Sequence, residues 1–421
     1  MPVVVDFMSH HPSHRHLPAA AKASDTDFDL IIVGGGLTGS SLAVALADTN
    51  LRIALVDARA PSRPQGWPER WDSRVYAISP GSADFLDQIG CWGHLPADRL
   101  QRVERMAVYG DAGGEIEFSA FDIGTEELAW IVESAEIACE LWTSVSRQRN
   151  VTCFCPAEPR ALQVSDEVAT LTLASGQSLR AKLVVGADGR ESWVRQQMGL
   201  SSQHDPYGEL GVVANFRTEL PHFGSAYQWF RHDGVLAYLP LSGGDGTDHG
   251  RMMSMVWSAP EAVAKELLAL SPEDLAYRVS MAGESKLGAL ELMAPAAGFP
   301  LKLVRVPKVV ASRVALIGDA AHGIHPLTGH GVNLGFQDAR VLAQLIRDAR
   351  PVDDIGDLQL LSRYQRARKE EVVLLQTATD AMRQLFATDK PGITQLRNLG
   401  LSLTNRLPLL KSLFIRYALE R

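Results

Sequence analysis

Residues 28–57 read FDLIIVGGGLTGSSLAVALADTNLRIALVD, and the order of signals within this stretch decides the architecture. FDLIIV (28–33) is a short continuous apolar run, the mark of a strand buried on both faces. Glycines follow at positions 34, 35, 36 and 39, SSLAVALADT then places apolar residues at helical spacing, and LRIALVD (51–57) is a second buried strand. Strand, glycine turn, helix and strand make a βαβ unit, whose two strands must be parallel. A parallel sheet needs helices on both faces, so the chain is predicted to be α/β.

The glycines carry chemistry as well as shape. Gly34, Gly36 and Gly39 form GxGxxG between strand and helix. Gly34 permits the tight turn, Gly36 lets a pyrophosphate approach the backbone, and Gly39 lets the helix pack closely, with Leu37 and Thr38 in a first turn whose N-terminus attracts the anion. Asp57 stands eighteen residues after Gly39, at the end of the second strand, where a carboxylate can accept a hydrogen bond from a ribose hydroxyl. NAD and FAD both use such a unit, so it does not settle which dinucleotide binds.

Outward from this unit the grammar changes. VERMAVYG and EIEFSAF, joined through Asp111, Gly113 and Gly114, predict an antiparallel hairpin, and residues 134–149 predict a helix. Short alternating strands (VTCFC, ATLTLA) lead to LRAKLVVGADG, again a buried strand ending in a turn, and residues 201–305 read as β-rich with a helix after Ser271 and Pro272. RVALIG returns to the buried-strand pattern, and helices are expected over 334–349, 358–386 and 392–420. The expected organisation is a disordered tail over 1–26, a discontinuous dinucleotide domain from 27–83, 150–200 and 306–350, a substrate domain with its connections from 84–149 and 201–305, and C-terminal helices over 351–421. The histidines at 10, 11, 14 and 16 fall in the tail and are assigned no ligand role, and no metal site is expected.

Composition excludes several classes. With 46% hydrophobic and 21% charged residues over 421 positions the chain is neither disordered nor low-complexity, and it can bury a large core. A net charge of −8 argues against nucleic acid as a partner. Cys91, Cys139, Cys153 and Cys155 contain no CxxC pair and read as reduced thiols, and no apolar run suggests a spanning helix or a secretory signal, so the cytoplasm is the expected compartment. Charge is uneven: from position 383 onward Arg383, Lys390, Arg397, Arg406, Lys411, Arg416 and Arg421 oppose only Asp389 and Glu420, a net +5. With leucines near helical spacing from Leu396 to Leu419, this tail is expected to dock on a membrane surface or on a membrane-bound protein, with packing of the leucines against the dinucleotide domain as the alternative.

Two further glycine turns follow the first: GADGRES (186–192) and GDAAHGIHPLTGHGVNLG (318–335). In that order and spacing the three turns resemble the aromatic-hydroxylase class of FAD-dependent monooxygenases. The resemblance implies a Rossmann-like, discontinuous FAD-binding domain with an inserted antiparallel substrate sheet and a C-terminal helical segment. It places Asp188 and Gly189 near the pyrophosphate and the nicotinamide route, and Gly318 and Asp319 at the ribityl or ribose hydroxyls of FAD. Independently, Pro326, Gly329 and Gly331 offer a side-chain-poor surface for a flat ring, and Val332 and Asn333 open a helix whose N–H groups can stabilise negative charge at the ring edge.

A narrower likeness rests on DSRVYAIS (72–79), QWF (228–230) with GVLAYLPL (234–241), the HP-x-x-G-x-G-x-N-L-G-x-x-D pattern from His325 to Asp338, and LRNLGLSLTNRLPLLKSLFIRYAL (396–419). These look like the ubiquinone-biosynthesis hydroxylase family. The family implies a polyprenylated phenol or benzoquinol substrate, NADH or NADPH as reductant, dioxygen as co-substrate, Arg74 at the FAD phosphates or adenosine, and His325, Pro326 and His330 flanking the flavin. His330 stands where the family pattern has Gln. For His322 and His325 a structural hydrogen bond is the favoured role over proton transfer. Other proteins of the pathway and a homo-oligomer are open as partners. An FAD reductase that never activates oxygen, and a non-catalytic flavin-bound subunit of a membrane-associated complex, are the alternative functions.

Overall fold

The computed structural model describes residues 26–67, 71–243, 248–323, 329 and 331–386. The readings of an N-terminal tail, of the basic C-terminal segment and of a helix over 392–420 fall outside these residues.

The βαβ unit forms as the sequence reads it, with strands Phe28–Val33 and Ile53–Val56 in parallel register and helix Leu37–Ala45 between them. The parallel sheet continues through Ser178–Gly186 and Val314–Leu316 on one side and Val151–Phe154 on the other. Sequence alternation is absent in these strands because both faces are covered. Leu30 and Ile32 enter one apolar core with Leu42, Leu46, Leu183 and Phe336, while Ile31 and Val33 enter a second with Val56, Leu171 and Val184. Truncating such a buried leucine or isoleucine to alanine ordinarily costs about 2–5 kcal/mol.

The second body is a nine-stranded sheet around the long strand Gln203–Thr218, which pairs antiparallel with Met252–Pro260 and Ala297–Arg305. The hairpin Arg105–Tyr109 and Glu115–Ser119 joins its far edge. Helices Glu261–Ala269 and Pro272–Ala282 cover one face. The second of these starts where Ser271 accepts a hydrogen bond from the Asp274 N–H and Pro272 occupies the first turn, a position where proline costs nothing. A three-stranded sheet of Val75–Ile78, Ala129–Glu133 and Gln101–Val103 lies between the two bodies: Val103 and Ile131 share a cluster with Ala226, Leu241 and Met252 of the large sheet.

Packing divides the 84–149 segment differently from the sequence-based boundaries. The hairpin sits with the large sheet, but helix Ser134–Ser146 buries Ile137, Leu141 and Val145 in the dinucleotide core. Spacing by four puts those three residues on one face, and the facing apolar surface belongs to the first helix rather than to the antiparallel sheet. Long helices Gly331–Arg347 and Leu358–Phe386 complete the described chain.

Candidate active site

The three glycine turns converge although almost 300 residues separate the first from the last. Gly34 has φ +107°, and a Cβ there would stand 2.3 Å from the Ala187 carbonyl oxygen of the second turn. At Gly39 a Cβ would stand 1.9 Å from the Gly34 carbonyl, so the helix can approach its own turn only because position 39 lacks a side chain. Gly36 differs: nothing lies within 4 Å of its Cβ position, and it opens the helix with no side-chain cap and no acid in the first turn. Uncapped helix N–H groups beside an open glycine are the cradle a pyrophosphate fills, so these residues fit the FAD implied by resemblance.

Asp57 supports the same turn. Its Oδ2 accepts from the Gly35 N–H at 2.6 Å and Oδ1 from the Arg59 N–H at 2.9 Å, and a carboxylate of this kind keeps lone pairs for a ribose hydroxyl. Gly35, which sequence reasoning passed over, is pinched between Trp142 and Asp57: its Cβ would lie 2.6 Å from the indole and 3.3 Å from the Asp57 Cβ. The unbroken run of three glycines, with Gly35 in its middle, was the available signal.

In the second turn Asp188 serves the chain itself. Its carboxylate accepts from Ser192 Oγ–H at 2.5 Å and from the Val194 N–H at 2.9 Å, holding the start of helix Trp193–Gln197. Gly189, at φ +81° with open space at its Cβ position, leaves the adjoining backbone uncovered. Buried Arg195 then joins the second turn to the third, donating to the Ala320 carbonyl at 2.8 Å and to the Arg190 carbonyl at 2.6 Å. Arg190 in turn pairs with Asp319 at 3.0 Å.

The third turn is held from beneath. Gly318, at φ +60°, donates its N–H to Asp338 Oδ2 at 2.8 Å. The fully buried Asp338 also receives His322 Nε2 at 2.6 Å and Arg368 Nε at 2.7 Å. Burial alone would raise the Asp338 pKa, but His322 and then Arg368 outweigh it and hold the carboxyl below its ordinary range. His322 is thereby a structural partner of Asp338. Thr38 wedges between helices: Cβ atoms at Gly318 and Gly335 would stand 2.8 and 2.5 Å from its Oγ1. Its side chain therefore packs against the third turn, leaving its backbone in the uncapped first helical turn.

The start of helix Gly331–Arg347 is fixed through Asn333, whose Nδ2 donates to the Ala77 carbonyl at 2.8 Å and whose Oδ1 accepts from the Ser79 N–H at 3.0 Å. DSRVYAIS and the third turn are thus one unit. Gly329, at φ +65°, faces Ala77 at 3.2 Å from its Cβ position, while Leu37 and Val332 pack on the dinucleotide core. Arg74 is exposed, with its guanidinium 5.4 Å from the Tyr76 ring centre. Burial pushes the Tyr76 hydroxyl pKa up, and Arg74 opposes that shift. His325, Pro326 and His330 lie outside the described residues. Gly35, Tyr76, Arg190, Arg195, Asp338 and Arg368 are contributors that the sequence reading did not single out as site residues.

The FAD binding domain family matches residues 27–378. Ubiquinone hydroxylase UbiL of Rhodospirillum rubrum is 31% identical over 398 residues, covering 94% of this chain and 90% of that protein. The 3-demethoxyubiquinol 3-hydroxylase of Escherichia coli is 31% identical over 392 residues, covering 93% of this chain and 98% of that protein. Among solved structures, PqsL of Pseudomonas aeruginosa, titled a probable FAD-dependent monooxygenase, superposes with a TM-score of 0.71 at 21% identity, covering 89% of this chain and 99% of that one.

Proposed function

The chain belongs to the FAD-dependent hydroxylases of ubiquinone biosynthesis, and from that membership we propose that it hydroxylates the aromatic ring of a polyprenylated phenol or benzoquinol with NADH or NADPH as reductant and dioxygen as co-substrate. The observation that carries the proposal is the convergence of three glycine turns on one cradle, locked by Thr38, Arg195 and Asp338. When bound, FAD supplies hydride acceptance and oxygen activation, chemistry that no amino-acid side chain provides.

The chain's own residues bind and orient. Gly34, Gly36, Gly39 and the N–H groups at Leu37 and Thr38 hold the pyrophosphate, with Gly189 leaving room beside it. Asp57 accepts from the adenosine ribose, Asp319 in the Gly318 turn accepts from ribityl or ribose hydroxyls, and Arg74 offers positive charge to the phosphates or adenosine. Backbone N–H groups at Gly331, Val332 and Asn333 would stabilise negative charge on the flavin ring, beside Gly329. Asp188 acts through the fold, by holding the second turn in place.

The test is incorporation of isotopically labelled dioxygen into product by the purified, FAD-loaded protein in the presence of NAD(P)H. One labelled oxygen atom in the ring supports the reading. Reductant oxidation without label in any aromatic product makes the protein a reductase.

A further inference from the structure

The large antiparallel sheet has two unlike faces. One presents Val212, Ala214, Phe216, Met253, Met255 and Trp257 to an apolar core beneath two helices. The other carries Val213 and Asn215, Met252, Ser254 and Val256, and Leu239 and Leu241 from three adjacent strands. On this second face Leu241 and Met252 cluster with Val103 and Ile131, and Ala77 and Leu239 pack against them. Ala77 is the residue that Gly329 faces and whose carbonyl Asn333 holds. The second face and the third glycine turn therefore meet across one side chain.

Asn215 and Ser254 are register partners on this face, with Cβ atoms about 4.5–5.5 Å apart by antiparallel geometry. Asn215 is 1% exposed and Ser254 0%. Asn215 Nδ2 donates to the Asp72 carbonyl at 2.9 Å, which fixes the amide and turns Oδ1 the other way. Neither Asn215 Oδ1 nor Ser254 Oγ has a hydrogen-bond partner. Buried polar atoms are ordinarily paired, and here two adjacent ones are not. Their complementarity is specific: an amide oxygen only accepts, whereas a serine hydroxyl can also donate.

We propose that Asn215 Oδ1 and Ser254 Oγ form a polar notch that receives the hydroxyl of the substrate ring, and so selects a phenol over its ether and over an oxidised, quinone-type ring. The proposal rests on the reading of the chain as an aromatic hydroxylase. The ring O–H donates to Asn215 Oδ1 while its oxygen accepts from Ser254 Oγ–H. An ether or a quinone carbonyl offers no proton to Oδ1 and would leave that oxygen buried and unpaired, which is how a site built to bond a hydroxyl rejects its analogue. Donation to Oδ1 also leaves more electron density on the ring oxygen, the density that makes neighbouring ring carbons open to attack. The apolar surroundings of Leu239, Met252 and Val213 strengthen both bonds.

The test titrates FAD-loaded protein with a geranylated phenol and with its methyl ether, following the flavin absorbance change and the stimulation of NAD(P)H oxidation. The unmodified protein is expected to prefer the phenol by about tenfold. Ser254→Ala removes an oxygen that bonds to nothing in the chain, so it should keep its FAD and unfold at the same temperature or higher, while its preference falls to about threefold or less. Asn215→Leu should lose the preference altogether, but it also loses the Asp72 bond, so Ser254→Ala is the deciding variant. An undiminished preference in Ser254→Ala, or equal binding of phenol and ether by the unmodified protein, overturns the notch and leaves a buried water as the occupant of the pair. If neither compound perturbs the flavin or stimulates NAD(P)H oxidation, the aromatic-substrate reading falls and takes this inference with it.

Discussion

The parallel sheet and the large antiparallel sheet bury polar groups on opposite terms. Around the first, Asp338, Arg195 and Asn333 are buried with their hydrogen bonds made by distant parts of the chain. In the second, Asn215 Oδ1, Ser254 Oγ and the indole nitrogens of Trp229 and Trp257 are buried without partners, four of the six such atoms among the described residues. A satisfied polar network defines one arrangement and resists change, whereas an unsatisfied buried atom adds no such constraint. The difference teaches that the polar groups around the glycine turns are set by the fold itself, whereas those of the antiparallel sheet are not.

The contrast can be broken most forcefully at Asp338. Asp338→Ala breaks the buried pair with Arg368, leaving Glu371 as its carboxylate partner, and frees the Gly318 N–H, so a loss of about 3–5 kcal/mol in stability is expected, read by denaturant unfolding, together with loss of bound FAD. Arg195→Met is expected to cost about 1–3 kcal/mol by leaving the Ala320 and Arg190 carbonyls unpaired, and urea midpoints check it. The pH dependence follows from the same carboxyl. Because the folded Asp338 pKa is lowered, its contribution is present above the ordinary carboxyl value of about 4 and is lost as pH falls from there through the lower folded value. Thermal midpoints measured from neutral pH downward should fall off below that point, and the acid limb should be shallower in Asp338→Asn. Asp319→Ala is the smallest in stability, under about 1 kcal/mol because its pair with Arg190 is partly exposed. It should nevertheless lose most bound flavin, and an unchanged flavin-to-protein absorbance ratio would show that Asp319 does not hold FAD.

Local grammar made the parallel sheet readable. FDLIIV, LRIALVD and the glycines between them are contiguous, and their physics acts over a few residues. Asp338 was less legible because a charged residue in a helix ordinarily reads as solvated. Its spacing held a clue: Leu334, Asp338 and Leu342 fall on one buried stripe, and Tyr364 and Arg368 fall on one buried stripe of the next helix. The Asn215 and Ser254 pair gave no local sign. Their strands are joined by a connection that includes two other strands and a long loop, and register across such a connection is set by tertiary packing. Helix Ser134–Ser146 misled for a related reason: its amphipathic pattern shows that it packs, but not on which body.

Thr38, seated between Gly318 and Gly335, has a consequence for how the protein comes into being. The cradle is a clasp whose two halves lie almost 300 residues apart in the chain. At about 5–20 residues per second, a ribosome that has made Thr38 needs roughly 15–60 s more before Gly335 exists to close on it. Throughout that interval the N-terminal half holds an unfinished nucleotide site, so flavin loading is a step of maturation that follows translation of the third turn.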